Sequence, residues 1–366
     1  MALVIVLVVL LVASVLFHFL SPWYLTPIAS NWGMIDDTLT ITFAVTGFVF
    51  VVVNLFLAYS IYKYRYRKDR RASYEPENKK LEWWLTAFTT IGVVAMLAPG
   101  LFVWAKYVEV PEDAMLVEAV GQQWRWTYRY PGADGVLGTV DTRNVNAKNP
   151  YGLNEDDPNG QDDILVSGSE IHLPVGGPVK VVLRSKDVLH DFYVPEIRAK
   201  MDLVPGMITY FWFTPIRTGG FDVLCAELCG SGHYNMRSRM IVEEENEFQT
   251  WQQTQPTFAQ TLAGTGAASG GSLTEQGERL ARDQGCIACH SLDGSPSVGP
   301  TWKGLVGKTE TLVDGSSVVV DEDYLKESIV DPNAKVVKGY GPIMPPAQLT
   351  DDQLKALMAY LKAASG

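Results

Sequence analysis

Between residues 225 and 236 the chain of 366 residues reads CAELCGSGHYNM, directly after a short apolar run. The thiols of Cys225 and Cys229, the imidazole of His233 and the thioether of Met236 are soft ligands, which select copper over magnesium or calcium. Two thiolates at this spacing can bridge two copper ions, provided that a second imidazole comes from elsewhere in the chain. His190, in the turn VLHDFYVP between two β-like runs, is the natural candidate. The loop therefore predicts a copper site.

Two other interpretations of this loop stay open from the residues alone. A disulfide between Cys225 and Cys229 suits an extracytoplasmic domain, but it leaves His233 and Met236 without a role. A copper chaperone with a CxxxC pair and one histidine is a stronger rival, although it needs neither that methionine nor a second electron-transfer domain. The cysteines of the chain form two close pairs, each beside a histidine, which favours metal or haem sites over a disulfide framework.

The segment around the loop, residues 114–242, is rich in short β-like runs separated by Gly, Pro, Asn and Asp. Such spacing is typical of an all-β sandwich or barrel. Within this segment, residues 132–163 are acidic and rich in Asn and Gly, which predicts an elaborated surface loop. The pattern is carried by the runs AMLVEAV, WRWTYRY, VKVVLR, MITYFWF and FDVL.

The N-terminal part of the chain contains apolar runs that are long enough to cross a bilayer. The loop at residues 63–82 is dense in Lys and Arg, so the positive-inside rule places it in the cytoplasm and residues 108–366 on the outer side of a prokaryotic cell membrane. The first apolar run has the length of a signal-peptide core, but it lacks a basic start and a clear cleavage site, so we expect a retained helix. The predicted membrane helices lie near 2–20, 39–62 and 83–107.

The C-terminal part divides into a tether and a second soluble domain. Residues 243–271 are polar and rich in Gly, Ser, Thr and Gln, which predicts a flexible linker. Capping-box patterns at Ser272 and Thr350 then predict the helices of a small, mainly helical domain, a size that usually needs a staple such as a metal or haem. The sequence thus predicts an anchor, an all-β domain, a linker and a helical domain, over residues 1–107, 108–242, 243–271 and 272–366.

The helical domain contains the run CIACH, from Cys286 through Cys289 to His290. Two thiols at this spacing add across the vinyl groups of haem, and the histidine that follows takes one axial position on the iron. A zinc site would need two more nearby ligands, and the sequence offers none. Met344, between prolines in GYGPIMPP, is the predicted sixth ligand, whereas Met358 lies on the apolar face of the last helix and is expected to pack in the core.

Charge divides the chain in the same way as hydropathy. Residues 1–107 carry nine Lys or Arg against six Asp or Glu, and residues 108–366 carry 21 against 35, so the two parts have net charges of +3 and −14. An acidic surface repels the phosphates of nucleic acid, which disfavours DNA or RNA binding. The same surface attracts a basic protein partner.

The motif C-x-E-x-C-G-x-x-H-x-x-M, after an H-x-F-x-x-P turn, resembles subunit II of haem-copper cytochrome c oxidases. The membrane hairpin, the basic loop and the aromatic run GQQWRWTYRY also fit that family, so the resemblance covers residues 1–242. It implies a cupredoxin-like Greek-key barrel that holds the dinuclear copper centre called CuA.

The resemblance also implies a role for each donor of the copper loop. It makes Cys225 and Cys229 the ligands that bridge both coppers, and it directs the carboxylate of Glu227 to a magnesium ion shared with the catalytic subunit. Each copper is completed by two further ligands, which are His190 with Met236 for one, and His233 with the backbone carbonyl of Glu227 for the other.

Two more residues match functional positions of the family. Trp124 matches the aromatic residue at which electrons enter, and Glu82 matches an acidic residue near the mouth of a proton pathway. If these two residues have only structural roles, Trp124 is a core aromatic of the barrel and Glu82 is a carboxylate at the membrane interface. The chain departs from the family pattern at Asp191, where a small hydroxyl residue is more frequent, and in TAFTTIG, which lacks a proline often present in that helix.

The helical domain is similar to class I cytochromes c, with residues 299–307 as its haem-packing loop. A cytochrome c domain fused to a copper subunit is the arrangement of caa-type oxidases. The resemblance implies that electrons pass from a donor, a basic cytochrome c or another respiratory complex, through haem c and CuA to haem in subunit I. It also implies proton pumping by the complex, and contacts with subunit I, other oxidase subunits and membrane lipid.

Oxygen reduction needs several histidines on membrane helices, and the three apolar runs contain only His18. That reaction therefore belongs to a partner subunit, and we expect neither His18 nor His172 to bind a cofactor. Two other functions stay open: the CuA subunit of a nitric oxide reductase, and a membrane-anchored electron shuttle without enzymatic activity. The aromatic run and Glu227 favour the oxidase over the shuttle, because both are useful only beside a catalytic subunit.

Overall fold

The computed structural model describes residues 1–21, 26–71, 74, 76–146, 149–166, 170–263 and 271–366. The chain divides into two compact units, residues 1–109 and 110–366. The first unit consists of the helices α1 (Ala2–Leu20), α2 (Gly33–Lys63) and α3 (Lys79–Val108). All three are long and apolar enough to cross a membrane, with mean hydropathies of 3.1, 2.4 and 1.8 in their most apolar windows.

Helix α1 has the bounds of the apolar run that predicts it, whereas α2 and α3 are longer than their runs. Helix α2 begins ahead of its apolar run, where Thr38 Oγ1 donates to the Met34 carbonyl at 2.8 Å, and its N-cap residue Trp32 makes no side-chain capping hydrogen bond. Helix α3 begins where the side chain of Asn78 accepts a hydrogen bond from the backbone N–H of Leu81, an N-cap that satisfies one free donor of the first turn. A polar cap thus extends α3 beyond its membrane-length core.

The second unit begins with a β domain of ten strands, which pair into two five-stranded sheets. In the first sheet the order is β3-β2-β1-β5-β8, and in the second it is β4-β10-β9-β6-β7. This is the Greek-key, cupredoxin-like arrangement that the sequence predicts. The strands are β1 (Met115–Gln122), β2 (Arg125–Tyr130), β3 (Ile164–Leu165), β4 (Glu170–Pro174), β5 (Val179–Ser185), β6 (His190–Val194), β7 (Ala199–Leu203), β8 (Thr209–Phe213), β9 (Gly219–Cys225) and β10 (Arg237–Glu243).

Aromatic rings from both sheets form the core of the β domain. Phe192 on β6 is fully buried and lies edge-on to Trp126, with the ring centroids 5.3 Å apart. The ring of Phe192 also contacts Tyr128 and Phe211, at centroid distances of 6.5 and 5.9 Å. Successive side chains of a strand point to opposite faces of its sheet, so every second residue of each strand packs in the core between the two sheets.

The acidic loop at residues 132–163 is attached to the β domain through a buried ion network. Arg129 on β2 pairs with Glu118 at 2.6 Å and with Asp163, and it also donates to the carbonyl of Gly138. Arg184 on β5 adds a second pairing to Glu118 at 3.2 Å. The opposite charges in this network compensate each other. Because Gly138 and Asp163 lie toward opposite ends of the loop, their bonds to Arg129 hold both ends against the β domain.

The structure differs from the prediction of a flexible linker over its first part. Residues 245–253 form helix α4 (Glu245–Gln253), and α5 (Phe258–Leu262) follows. Phe258 is fully buried against Tyr151, Leu153 and Leu165. Phe248 and Trp251 of α4 pack against Tyr130, so several apolar side chains attach this polar segment to the β domain. The remaining linker positions, 264–270, lie outside the described residues.

The helical domain follows, with helices α6 (Leu273–Asp283), α7 (Cys286–Cys289), α8 (Glu322–Val330) and α9 (Asp351–Ser365). Capping boxes begin α6 at Ser272 and α9 at Thr350, as predicted. At their crossing a Cβ on Gly277 would lie 2.0 Å from the Ala356 carbonyl, so only glycine permits this approach. A short hairpin, β11 (Thr309–Thr311) with β12 (Ser317–Val319), is an addition to the predicted all-helical domain.

Candidate metal centre and haem site

Three strands of the second sheet bring the predicted copper donors together. Strand β6 begins at His190, and β9 ends at Cys225, with Phe192 and Cys225 opposite each other in the antiparallel ladder. Strand β10 starts directly after Met236, and the backbone N–H of Cys225 donates to the Met236 carbonyl at 3.2 Å. The loop between β9 and β10 is thus closed at its base, and its donors project beside His190.

The donors form one compact cluster. The Sγ atoms of Cys225 and Cys229 are 3.7 Å apart. The Cys225 sulfur lies 3.9 Å from His190 Nδ1 and 3.2 Å from the Glu227 carbonyl oxygen. The Cys229 sulfur lies 3.7 Å from His233 Nδ1 and 3.9 Å from Met236 Sδ. Two thiols, two imidazoles, a thioether and a carbonyl therefore meet at one place, a donor set that suits copper.

Electrostatics at the cluster favour a thiolate. A hydrogen bond from the neighbouring Cys229 lowers the pKa of the Cys225 thiol, against the opposing effect of burial, and the same hydrogen bond together with burial raises the pKa of Cys229. Burial alone would lower the pKa of His190, but its hydrogen bond to Asp187 and its contact with Cys225 raise it on balance. The thiolate is the form that binds a metal, so the apolar surroundings do not prevent ligation.

The predicted electron-entry residue lies against the copper loop. The indole Nε1 of Trp124 and the side-chain amide of Gln123 both donate to the Cys229 carbonyl, at 3.2 and 2.8 Å. A Cβ on Gly232 would lie 2.4 Å from the Trp124 ring, so glycine is required where the indole crosses the loop. Trp124 is half-buried and therefore is neither a core aromatic nor a free surface residue.

Asp187 is a residue of this site that the sequence motifs do not identify. One carboxylate oxygen lies 2.8 Å from His190 Nε2, and the other accepts the backbone N–H of Gln123 at 2.8 Å. The carboxylate therefore holds the His190 ring with Nδ1 directed at the sulfur atoms, and it fixes the turn that presents Trp124. The only signal in the sequence is its position three residues before the histidine.

The predicted haem-attachment residues lie in and beside the short helix α7. His290 Nδ1 donates to the Pro300 carbonyl at 2.7 Å, which leaves Nε2 free to bind iron. The indole of Trp302 stacks on the imidazole at a centroid distance of 5.3 Å. Burial raises the pKa of Cys286 to about 11 and also raises the pKa of Cys289, so both stay thiols, the form that adds to vinyl groups.

A cavity of about 540 Å³ opens beside these residues. Cys286, His290 and Met344 line it together, whereas Met358 is buried in the core between α9 and its neighbours. The predicted haem-packing loop contributes Gly299, Pro300, Trp302 and Leu305 to the same wall. On its other side the cavity is lined by residues of the β domain, namely Gln122, Gln123, Trp124, Arg125, Thr142, Val145, Asn146, Pro150 and Lys186.

The other residues singled out in the sequence have the following surroundings. Glu82 lies in the first turn of α3, and His18 lies in the last turn of α1 beside Phe19. His172 on β4 stacks on Trp251 at 4.0 Å and pairs with Glu243, which is a structural role. Asp191 is buried, its side chain pairs with Lys200 at 3.1 Å, and its backbone carbonyl accepts the N–H of Ala226 in the copper loop at 3.1 Å.

Comparison with known proteins identifies the family. Residues 115–244 match the family described as cytochrome c oxidase subunit II, periplasmic domain, and residues 274–365 match the cytochrome c family. The alternative cytochrome c oxidase subunit 2 of Bradyrhizobium diazoefficiens is 61% identical over 259 residues, which are 71% of this chain and 94% of that protein. The chain belongs to the cytochrome c oxidase subunit II family. The predicted resemblance is thereby confirmed, together with the fold class.

A second relative agrees with this assignment. Cytochrome c oxidase subunit 2 of Alkalihalophilus pseudofirmus is 25% identical over 338 residues, which are 90% of this chain and 86% of that protein. The crystal structure of the periplasmic domain of subunit II from Bradyrhizobium japonicum is 30% identical, covers 40% of this chain and 96% of its own, and has a TM-score of 0.30. The family assignment makes this subunit II part of a haem-copper oxidase, an oxidoreductase, and the two families imply copper in the β domain and haem in the helical domain.

Proposed function

We propose that this chain is the electron-input subunit of an oxygen-reducing, proton-pumping oxidase. It would take electrons from a donor, a basic cytochrome c or another respiratory complex, and pass them through haem c and CuA to haem in subunit I. The position of Trp124 between the two candidate sites supports this proposal most directly. Its indole donates to the Cys229 carbonyl in the copper loop, and its side chain also lines the cavity of the CIACH segment.

The residues of the chain have defined tasks in this proposal. When bound, the copper pair and the haem supply one-electron redox chemistry. Cys286 and Cys289 would attach the haem through thioether bonds, the Pro300 carbonyl would orient His290 toward the iron, and His290 and Met344 would hold the iron. The carboxylate of Glu227 would contribute to a magnesium site shared with subunit I. The copper ions would be held by Cys225, Cys229, His190, His233, Met236 and the Glu227 carbonyl.

The proposal includes an orientation in the membrane. Helices α1 to α3 would span the bilayer, with residues 63–82 in the cytoplasm and residues 108–366 on the periplasmic side. Glu82 would then lie near the cytoplasmic entrance of a proton pathway in the complex. The dense positive charge of the loop supports this orientation. A Lys68→Cys variant should react with a membrane-impermeant thiol reagent in inverted vesicles, and reaction in intact cells would contradict it.

The decisive experiment is purification of the complex through a tag on this chain, followed by ascorbate-driven uptake of oxygen and of nitric oxide on one sample. We expect rapid, cyanide-sensitive oxygen uptake, a co-purifying haem-copper subunit, and loss of uptake in a Cys229→Ser variant. Uptake of nitric oxide without oxygen would identify a nitric oxide reductase instead. Uptake of neither gas by a metal-loaded sample would identify an electron shuttle.

A further inference from the structure

We propose that the electron-entry face of the β domain is the docking surface for the chain's own helical domain, and that Arg125 is its principal anchor. This inference rests on the proposed function, because it concerns the place where electrons would leave the haem site. It goes further in naming the occupant of that face and the side chains that hold it. The docking face is formed by the turn at Gln122–Arg125 and by Asn235 in the copper loop.

Two side chains of the β domain donate hydrogen bonds to the segment that carries the cysteines. The guanidinium Nη1 of Arg125 donates to the backbone carbonyl of Asp283 at 3.0 Å. Its Nη2 donates to the side chain of Gln122 at 3.1 Å, which fixes the fork of the guanidinium. The side-chain amide of Asn235 donates to the carbonyl of Ala288, which lies between the two cysteines.

The backbone between these two bonds also fits the turn closely. At Gly285, which has a φ of 71°, a Cβ would lie 3.6 Å from both the Arg125 Cβ and the Trp124 carbonyl oxygen. At Gly285, within residues 283–288, the backbone of the helical domain therefore lies at van der Waals distance from the turn of the β domain. The cavity beside it is lined by Trp124 and Lys186 from one domain and by Cys286 and Met344 from the other. Because both domains line this one cavity, the path for an electron between the haem site and the copper site is short.

The chemistry of the contact distinguishes it from an encounter with a soluble protein. Both acceptors are main-chain carbonyls. Arg125 also attracts the Asp283 carboxylate, whose pKa is raised by burial and lowered by this attraction, but the pair is largely enclosed, so salt screens it weakly. An external donor steered by the acidic surface of residues 108–366 would depend strongly on ionic strength. Arg125 is largely enclosed here, and a buried guanidinium is stable only while its donors are paired. Separation of the domains returns Arg125 to water, so docking can be reversible.

Docking of the helical domain limits where an external electron donor can bind. While the helical domain is docked, it covers Trp124 and Arg125, and a second protein cannot reach the copper loop at that face. An external donor must therefore deliver its electron to the helical domain. A single electron would leave the haem iron, which is oxidised, and arrive at the copper pair, which is reduced, without a further reactant.

The test compares Arg125→Gln with Arg143→Gln in the complete tagged complex. Arg143 is an exposed arginine of the same domain that pairs with Asp141 only two residues away, so its replacement makes the same change of charge outside the contact. The first readout is hydrogen–deuterium exchange of the amides at 283–290. The second is the rate of electron passage from haem to copper after rapid reduction of the haem, at low and high salt.

We expect Arg125→Gln to increase exchange at 283–290 and to slow electron passage by about tenfold, since a charged hydrogen bond is lost from the contact. Arg143→Gln should change neither, and the wild-type rate should stay nearly constant as salt is raised. Equal exchange and equal rates in the two variants, or a wild-type rate that falls steeply with salt, would overturn the inference.

The outcomes also separate this inference from the proposed function. If the complex contains no copper or haem, the proposed function fails, but the exchange experiment still reports on docking because it does not depend on electron passage. If both cofactors are present and oxygen is consumed while Arg125→Gln has no effect, the proposed function stands and the docking surface is wrong. Cofactor content and melting temperature, measured on each variant, exclude misfolding as the cause of an effect.

Discussion

At the scale of single residues, the two methionines of the helical domain show how position decides role. Met344 lines the cavity beside Cys286 and His290, whereas Met358 is 5% exposed and packs in the core. Both are thioethers of equal chemistry. Only the one at the cavity can reach an iron bound there, so their replacements should have different effects.

We predict that Met344→Leu keeps covalently attached haem but loses the six-coordinate, low-spin absorption spectrum, because leucine cannot bind iron. The reduction potential of the haem should fall by on the order of 0.1 V or more, since methionine ligation raises it. Met358→Leu is the control and should leave spectrum and potential unchanged. A spectrum that changes in Met358→Leu and not in Met344→Leu would reverse the assignment. Absorption spectroscopy and redox titration measure both.

Asp187 carries the second prediction at this scale. Its carboxylate contacts both His190 and the N–H of Gln123. Asp187→Ala should weaken copper retention by roughly 10–100-fold, because partners that orient a ligating histidine usually contribute that much. Asp113→Ala, at an exposed acid of the same unit, is the control. Competition with a chelator measures retention, and equal retention in the two variants would remove Asp187 from the site.

At the scale of elements, the polar segment after β10 is attached by two short helices. The capping box at Thr257 begins α5, and the backbone N–H of Phe258 donates to the Asp163 carbonyl at 2.8 Å. Nearby, the N–H of Leu165 on β3 donates to the Pro256 carbonyl at 2.9 Å. The segment therefore adds backbone pairing to the acidic loop, which its composition does not predict.

We predict that Phe258→Ala lowers the free energy of unfolding of the β domain by about 3–5 kcal/mol, because it leaves a cavity among Tyr151, Leu153 and Leu165. The same variant should expose residues 254–262 to limited proteolysis. Gln249→Ala, at an exposed position of α4, should have little effect on either measurement. Denaturant unfolding of the full chain in detergent tests this, and an unchanged midpoint in Phe258→Ala would show that the segment is not anchored by this ring.

At the scale of the whole molecule, charge and chain order separate the tasks of the protein. The net charge of +3 on residues 1–107 suits the cytoplasmic loop that we propose, and the net charge of −14 on residues 108–366 suits the basic donor that we propose. The predicted copper and haem ligands all lie in the acidic part. Helices α1 to α3 contain His18 as their sole histidine, in keeping with the proposal that a partner subunit holds the oxygen site.

The whole-molecule prediction concerns ionic strength. Turnover with a basic cytochrome c should fall by about tenfold between low and physiological salt, because screening removes long-range attraction. Turnover with a small uncharged reductant should change little and serves as the control. Salt-independent turnover with the protein donor would mean that the acidic surface does not steer it. The measurement is oxygen uptake at several salt concentrations.

The sequence by itself determined the fold class and named most candidate donors of both sites, because these features are local. Cys225, Cys229, His233 and Met236 fall within twelve residues, and CIACH is contiguous. Soft ligands at short spacing have few alternative uses, so their chemistry can be identified without coordinates. Apolar runs of bilayer length and short β-like runs are likewise properties of neighbouring residues.

Only the tertiary structure decided which distant residues join these motifs. His190 and Cys225 meet because β6 and β9 pair, and Asp187 and Gln123 meet across 64 residues of chain. Arg125 and Asp283 are separated by 158 residues, and nothing in the aromatic run around Arg125 predicts Asp283 as its partner. Phe258 is buried although its neighbours are polar. Such contacts depend on how sheets and helices pack, and packing is a property of the folded chain that residue spacing does not encode.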